Sequence, residues 1–106
     1  MSQLPRNSAM LIVIAGPNKG ARFLIDSEVT NIGRDPLKEI FLDDITVSRA
    51  HAHITRSASG EFRIVDLGSL NGSYVNAHPV ADSALAVGDE IQIGKYRLTY
   101  FKGRAN

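Results

Sequence analysis

The feature that most constrains this fold is a series of short apolar segments, many alternating with period two, separated by turn residues. The first is a continuous apolar run at residues 10–15, which ends at a Gly-Pro-Asn-Lys-Gly cluster. Residues 51–57 alternate in polarity and lead into a Ser-Ala-Ser-Gly turn, which predicts a hairpin returning at residues 62–66. Further strands are expected at residues 21–25, 29–32, 40–42, 74–75, 90–93 and 96–101.

This pattern predicts an all-β domain, because no amphipathic segment reaches helical length and residues 36–39 suffice for one helical turn only. About ten short strands at such close spacing are typical of a sandwich or barrel. A chain of 106 residues fits one domain. We expect that domain at residues 9–103, with a flexible segment at residues 1–8, a tail at residues 104–106 and a turn at residues 76–79.

Composition excludes several functional classes. The chain has no cysteine, which rules out disulfides, thiolate metal sites and cysteine nucleophiles and suits a cytoplasmic location. Its net charge of +1 shows none of the basic excess usual for nucleic-acid binding, and no apolar run is long enough to cross a membrane. His53 and His78 lack acidic or cysteine partners at ligand spacing. We therefore expect no metal, cofactor, nucleic acid or membrane partner.

Three segments carry polar residues that packing alone does not require. The first is Gly33-Arg34-Asp35-Pro36, directly after a predicted strand. The second spans residues 46–51 and contains a Ser-Arg-x-His pattern whose serine lies 14 positions after Arg34. The third spans residues 66–76 and reads Asp-x-x-Ser-x-Asn-Gly-x-x-Val-Asn. Since loops at one end of a sandwich meet in space, these segments are candidates for a shared binding site.

Taken in this order and at these spacings, the three segments resemble the forkhead-associated (FHA) domain, a phosphothreonine-binding β-sandwich. The resemblance extends over about residues 9–103 and includes the Gly-Asp-x-Ile-x-Ile-Gly stretch at residues 88–94. Residues 41–44, 47–49 and 68–72 look more narrowly like small actinobacterial FHA proteins. The resemblance implies an FHA-type sandwich of about ten to eleven mostly antiparallel strands, without catalytic activity.

The resemblance also implies roles for individual residues. Arg34 and Ser48 would hold the phosphate, Asn71 would orient the ligand main chain, and Ser69 would support them. The full set of implied phosphopeptide-binding residues is Arg34, Ser48, Arg49, Ser69, Leu70 and Asn71. The residues implied to brace the site are Gly33, His51, Asp66, Gly72 and Asn76.

The chemistry of these residue types agrees with the implied roles. Phosphothreonine carries about −1.5 to −2 charges near neutral pH and offers three acceptor oxygens. Arg34 supplies a planar fork of donors that matches phosphate, and Ser48 supplies a short hydroxyl donor. Asn71 carries both donors and an acceptor, as a peptide backbone does. Asp66 is expected to hold its loop by accepting backbone N–H groups.

The family resemblance also suggests partners. They are phosphothreonine-containing proteins, namely Ser/Thr protein kinases and enzymes of 2-oxoglutarate and glutamate metabolism. The small actinobacterial proteins carry an N-terminal threonine pair that kinases phosphorylate. Residues 1–8 of this chain contain no threonine. The resemblance therefore does not imply that this chain inhibits itself through a phosphorylated N-terminal segment.

Other interpretations remain open. The same loops would also serve a regulator that binds proteins independently of phosphorylation. Ser48 near His51 is reminiscent of a hydrolase, although the strained Gly-x-Ser-x-Gly elbow is absent. Asn71-Gly72 is a strong hairpin signal in its own right, so the role of Asn71 is conformational, functional or both.

Overall fold

The computed structural model describes residues 5–103, which form eleven β-strands and no helix. This described part of the chain therefore contains no helix that is long and apolar enough to cross a membrane. The strands are β1 (Ala9–Ala15), β2 (Arg22–Ile25), β3 (Val29–Gly33), β4 (Ile40–Phe41), β5 (Ala52–Arg56), β6 (Phe62–Asp66), β7 (Ser73–Val75), β8 (His78–Val80), β9 (Asp82–Ala84), β10 (Glu90–Ile93) and β11 (Tyr96–Lys102).

The strands form two sheets, which confirms the predicted β-sandwich. One sheet has the order β2-β1-β11-β10-β7-β8 and the other the order β4-β3-β5-β6-β9. Every pairing is antiparallel except that of β3 with β4. The predicted hairpin β5–β6 forms, and β1 with β2 and β10 with β11 also pair as antiparallel neighbours.

The core lies between the sheets because alternate residues of each strand point inward. In β1, for example, Ala9, Leu11 and Val13 are buried while the residues between them are partly exposed. The buried aromatic rings of Phe62, in one sheet, and Tyr100, in the other, have centroids 6.2 Å apart. Burial raises the pKa of Tyr100 to about 12, aided by the charge of Asp89, so this phenol stays neutral at ordinary pH.

Two strands, β8 and β9, were not predicted from the sequence, and one predicted turn is shorter than expected. Residues 76–79 were expected to form a turn, but only Asn76 and Ala77 do so, with φ of 51° and 69°. His78 and Pro79 instead belong to β8, which pairs with β7. Pro79 is tolerated there because β8 is an edge strand, where a missing N–H costs no ladder hydrogen bond.

The hairpin reading of Asn71-Gly72 is wrong. Strand β6 pairs with β5 and β9, whereas β7 belongs to the other sheet and pairs with β8 and β10. The two residues therefore lie in a loop that crosses between the sheets. Gly72 still has φ of +81°, which explains the glycine without a hairpin.

The predicted terminal segments fall partly outside the described residues, since residues 1–4 and 104–106 are not among them. Within the described part, Arg56 donates to the Asn7 carbonyl at 2.7 Å. Ser8 is fully buried, and its carbonyl accepts from the Gly103 N–H at 2.7 Å. Residues 7 and 8 are thus held against the sandwich, and the proposed domain boundaries stay a prediction.

Candidate functional site

The end of β3 and the segment before β5 lie against each other. The Arg34 N–H donates to the Ser48 carbonyl at 3.0 Å, and the His51 N–H donates to the Ile32 carbonyl at 3.0 Å. A Cβ atom on Gly33 would lie 2.0 Å from the Arg49 carbonyl oxygen, so no side chain fits there. The glycine of the Gly-Arg pair is therefore required by the close approach of the backbones.

The Arg34 guanidinium is oriented by the same segment. Its Nε–H donates to the Val47 carbonyl at 3.0 Å, and the residue is partly exposed. Within residues 5–103 it forms no ion pair with a carboxylate. Arg49 differs, because its side chain is 68% exposed and lies 3.8 Å from Asp35. Arg34 is thus fixed at Nε, and its terminal N–H groups form no hydrogen bond within residues 5–103.

His51 is fully buried and joins two of the loops. The backbone N–H of Ser48 donates to His51 Nδ1 at 3.1 Å, so Nδ1 carries no proton. The other ring nitrogen, Nε2, lies 2.9 Å from the Gly72 carbonyl and must donate to it. A neutral imidazole therefore connects the segment before β5 to the loop before β7.

The Ser48 hydroxyl is held from the opposite side. Its Oγ accepts from the Leu70 N–H at 3.0 Å, which links the same two loops a second time. Because Oγ is the acceptor in this bond, its own proton is directed elsewhere. The hydroxyl proton is thus available as a donor on a partly exposed residue.

Asp66 organises the loop that carries Ser69. Its Oδ2 accepts from the Gly68 and Ser69 N–H groups, each at 3.0 Å, and its Oδ1 accepts from the Ser69 and Ser73 hydroxyls. Partial burial raises the pKa of the Asp66 carboxyl, but these hydrogen bonds outweigh it and leave the pKa below its ordinary value. The loop is therefore built around an ionised carboxylate.

Asn71 is anchored at one atom of its amide. Its Nδ2 donates to the Thr46 carbonyl at 3.0 Å, and the residue is otherwise exposed. A cavity of about 500 Å³ opens beside it. The cavity is lined by Thr46, Asn71, Tyr74, Ala77, Gln92, Gly94 and Lys95. The amide oxygen of Asn71 forms no hydrogen bond within residues 5–103, and the exposed residue lies beside an open groove.

The structure brings the three predicted loops together around residues 46–48. Arg34 contacts Val47, Leu70 contacts Ser48 and Asn71 contacts Thr46. Asn76 does not join them: its side chain bonds Asp89 and the Glu90 N–H, so it braces the start of β10.

Thr46 is the residue that the sequence interpretation missed. Its carbonyl accepts from the Asn71 side chain, and both its N–H and its hydroxyl donate to the Asp44 carboxylate. Its hydroxyl also accepts from the Lys95 N–H at 2.9 Å. The Asp-x-Thr spacing is the available signal, since Asp commonly accepts from the backbone two residues later.

No group of three or more potential ligands that could hold a metal occurs within the described residues. The fold and the site define a β-sandwich that presents a guanidinium, a hydroxyl and a carboxamide from loops at one end. The model of the FHA domain matches residues 30–94. The chain belongs to the forkhead-associated family.

Relatives and solved structures agree with this assignment. The chain is 57% identical over 100 residues to the glycogen accumulation regulator GarA of Mycolicibacterium smegmatis, covering 94% of this chain and 63% of that protein. It is 57% identical over 102 residues to the oxoglutarate dehydrogenase inhibitor of Corynebacterium efficiens, covering 96% of this chain and 71% of that protein. A structure solved for phosphothreonine-dependent FHA domain interactions superposes with a TM-score of 0.80 at 30% identity, covering 89% of this chain and 95% of that one.

Proposed function

We propose that this protein is a non-catalytic module that recognises phosphothreonine in other proteins. The observation that carries the proposal is that residues 46–48 contain Ser48 and also hold Arg34, through the Val47 carbonyl, and Asn71, through the Thr46 carbonyl. Each of the three is held by one hydrogen bond and keeps a further polar group free to meet a ligand. The similar structure of phosphothreonine-dependent FHA interactions supports the same ligand.

The geometry suits a tetrahedral dianion. The terminal N–H groups of Arg34 and the hydroxyl proton of Ser48 supply donors of two kinds for the phosphate oxygens. The amide oxygen of Asn71 would accept from the ligand backbone, which sets the direction of the peptide. Hydrogen bonds to charged groups contribute about 1.5–3 kcal/mol each, so three give roughly 5–9 kcal/mol. Since micromolar affinity corresponds to about 8 kcal/mol, the phosphate would dominate binding.

The engagement of His51 argues against the hydrolase interpretation. A serine nucleophile needs a base within hydrogen-bond reach of its hydroxyl. His51 Nδ1 instead accepts from the Ser48 backbone N–H, and Nε2 bonds the Gly72 carbonyl. Both ring nitrogens are committed to structure, which leaves the imidazole without a catalytic role.

The names of the relatives suggest what the module regulates. The two curated relatives are a glycogen accumulation regulator and an oxoglutarate dehydrogenase inhibitor. We infer that this protein acts in Ser/Thr kinase signalling and docks onto phosphorylated kinases or onto enzymes of 2-oxoglutarate and glutamate metabolism. The chain spans only 63% of the mycobacterial relative, so these whole-protein roles are part of the proposal.

A second candidate function is protein binding without phosphorylation through the same loops. The three most exposed large apolar residues of the described chain all lie on loops of this end: Leu37 and Ile45 at 87% and Leu70 at 89% exposure. Such residues typically mark a contact with another protein. They would add apolar contacts to a folded partner beyond any phosphate.

One calorimetric comparison tests the proposal. Titration with matched threonine, phosphoserine and phosphothreonine peptides is expected to give binding only to the phosphorylated pair, with phosphothreonine tighter. Arg34→Ala should abolish that binding, while Lys102→Ala, in the last strand, should leave it unchanged. Equal affinity for the plain and phosphorylated peptides would overturn the proposal and favour the second candidate.

A further inference from the structure

Thr46 occupies a central position among the loops of the site. Its side chain and backbone connect three segments, namely its own loop at residues 44–46, the loop with Asn71 and the turn with Lys95. The Asp44 carboxylate accepts from both the N–H and the hydroxyl of Thr46. The Thr46 hydroxyl accepts in turn from the Lys95 N–H at 2.9 Å. The hydroxyl therefore donates to one segment and accepts from another, which fixes its rotamer.

The turn between β10 and β11 is pressed against this threonine. A Cβ atom on Gly94 would lie 2.3 Å from Thr46 Oγ1 and 2.9 Å from its carbonyl oxygen. Gly94 also has φ of +57°, so a glycine is favoured there on conformational grounds as well. The turn thus closes one side of Thr46 without room for displacement.

The carbonyl of Thr46 accepts from Asn71 Nδ2 at 3.0 Å. Among the described residues, this is the one hydrogen bond formed by the Asn71 side chain. A carboxamide rotates freely about its terminal bond unless a partner selects one face. The Thr46 carbonyl makes that selection, and the Asp44 and Lys95 contacts hold the carbonyl in place.

We propose that Thr46 is a positioning residue for ligand recognition, acting through Asn71. This role rests on the function proposed above. Thr46 orients the Asn71 amide that contacts the ligand main chain, and it does not contribute to phosphate binding. Arg34 and Ser48 depend on different contacts, namely the Val47 carbonyl and the Leu70 N–H. Loss of the Thr46 hydroxyl should consequently separate peptide affinity from phosphate affinity.

The test compares Thr46→Val, Thr46→Ser and a matched control, Thr55→Val. Thr55 is a partly exposed β5 residue whose hydroxyl forms no hydrogen bond within residues 5–103. Loss of one ordering hydrogen bond should weaken a phosphothreonine peptide by roughly three- to tenfold in Thr46→Val. Thr46→Ser keeps the hydroxyl and should bind within about twofold of the parent, as should Thr55→Val.

Inorganic phosphate, titrated by NMR against the Ser48 amide signal, provides the readout that a merely structural role would not give. Its affinity should be unchanged in Thr46→Val, whereas general damage to the fold would weaken phosphate and peptide together. In an Asn71→Ala background, Thr46→Val should have no further effect on peptide affinity. An additive loss there, or an equal loss of phosphate binding, would overturn the proposal.

A measurement without ligand distinguishes the role proposed for Thr46 from the proposed recognition of phosphothreonine. The Asn71 side-chain N–H signals should exchange slowly with water in the parent protein, where Nδ2 donates to the Thr46 carbonyl, and should exchange faster and shift in Thr46→Val. If the parent binds no phosphopeptide but these signals change as expected, the proposed function fails while the orienting contact stands. If the signals do not change, Thr46 does not position Asn71.

Discussion

At the scale of single residues, each side chain of the candidate site is anchored through one atom and keeps another polar group free for a ligand. Arg34 is fixed at Nε by the Val47 carbonyl, Ser48 at Oγ by the Leu70 N–H and Asn71 at Nδ2 by the Thr46 carbonyl. Each side chain is thereby oriented before a ligand arrives, which lowers the entropy lost on binding. The identity of each side chain matters for this reason, and its charge alone is not sufficient.

Arg34→Lys tests that statement. Lysine keeps the positive charge but lacks the planar fork and the Nε–H that bonds Val47. We expect phosphothreonine-peptide affinity to fall by about tenfold or more, from the loss of at least one charged hydrogen bond. Calorimetry measures the change, and Arg63→Lys, at a half-exposed arginine of β6 outside the site loops, serves as the control that should bind normally. If Arg34→Lys bound with near-parental affinity, the requirement for a planar guanidinium would be contradicted.

Asp66 makes the site loop sensitive to acid. Its pKa is lowered in the folded protein, so its contribution to stability is complete above the ordinary Asp pKa of 3.8 and is lost as pH falls through the lower folded value. Asp66→Asn should reduce the free energy of unfolding at pH 7 by about 1–2 kcal/mol, because a neutral amide accepts less strongly than a carboxylate.

Urea unfolding between pH 7 and pH 2 measures both effects. The parent should lose stability below about pH 4, and Asp66→Asn should lose less over the same range. Asp26→Asn, in the exposed turn before β3, is a matched control that should follow the parent curve. An unchanged acid limb in Asp66→Asn would show that another group is responsible.

At the scale of elements, the site is an extension of the strands beyond their ends. Past the end of β3, the Arg34 N–H bonds the Ser48 carbonyl and the Leu42 N–H bonds the Gly33 carbonyl. The backbone at the end of β3 is therefore flanked on both sides where Arg34 follows it. Such backbone pairing supports the loop that carries Arg34, which suits the proposed recognition by hydrogen bonds.

Gly33→Ala tests the close approach at this point. Its methyl group would lie 2.0 Å from the Arg49 carbonyl, so the strand and the loop must separate. Overpacking of this kind costs about 1–3 kcal/mol of stability. We expect that loss in denaturant unfolding together with weaker phosphopeptide binding in calorimetry.

The control separates steric from conformational effects. Gly88, in the loop before β10, has φ of +90° but open space around its Cα. Gly88→Ala should lower stability through backbone strain and leave peptide affinity unchanged. If Gly33→Ala bound the peptide normally, the approach of the two segments would not shape the site.

At the scale of the whole molecule, the sandwich matters because it brings both sheets to one binding end. Arg34 and Ser48 adjoin strands of one sheet, whereas the loop with Asn71 crosses to the other, and Lys95 joins two strands of that second sheet. The site therefore exists only when both sheets are packed. An unfolded chain would not bind the ligand in the same way.

Ligand binding should consequently stabilise the entire domain. At a concentration one hundred times the dissociation constant, a ligand specific for the folded state adds about 2.7 kcal/mol. For a domain of this size that raises Tm by roughly 10–20 °C. Thermal unfolding with a phosphothreonine peptide should show this shift, and the same peptide with threonine or glutamate should show little. A comparable shift with glutamate would contradict recognition of a tetrahedral dianion.

The sequence alone determined the class of fold, the core pattern and the loops of the site, because period-two alternation, turn residues and motif spacing are local properties. It did not reveal β8 and β9, whose three-residue segments carry too little pattern to detect. The crossing of Asn71-Gly72 between sheets and the anchoring of Asn71 by Thr46 became visible in the folded structure alone. Those facts depend on which strands pair across long separations in sequence, and that choice is made by the packing of the whole core.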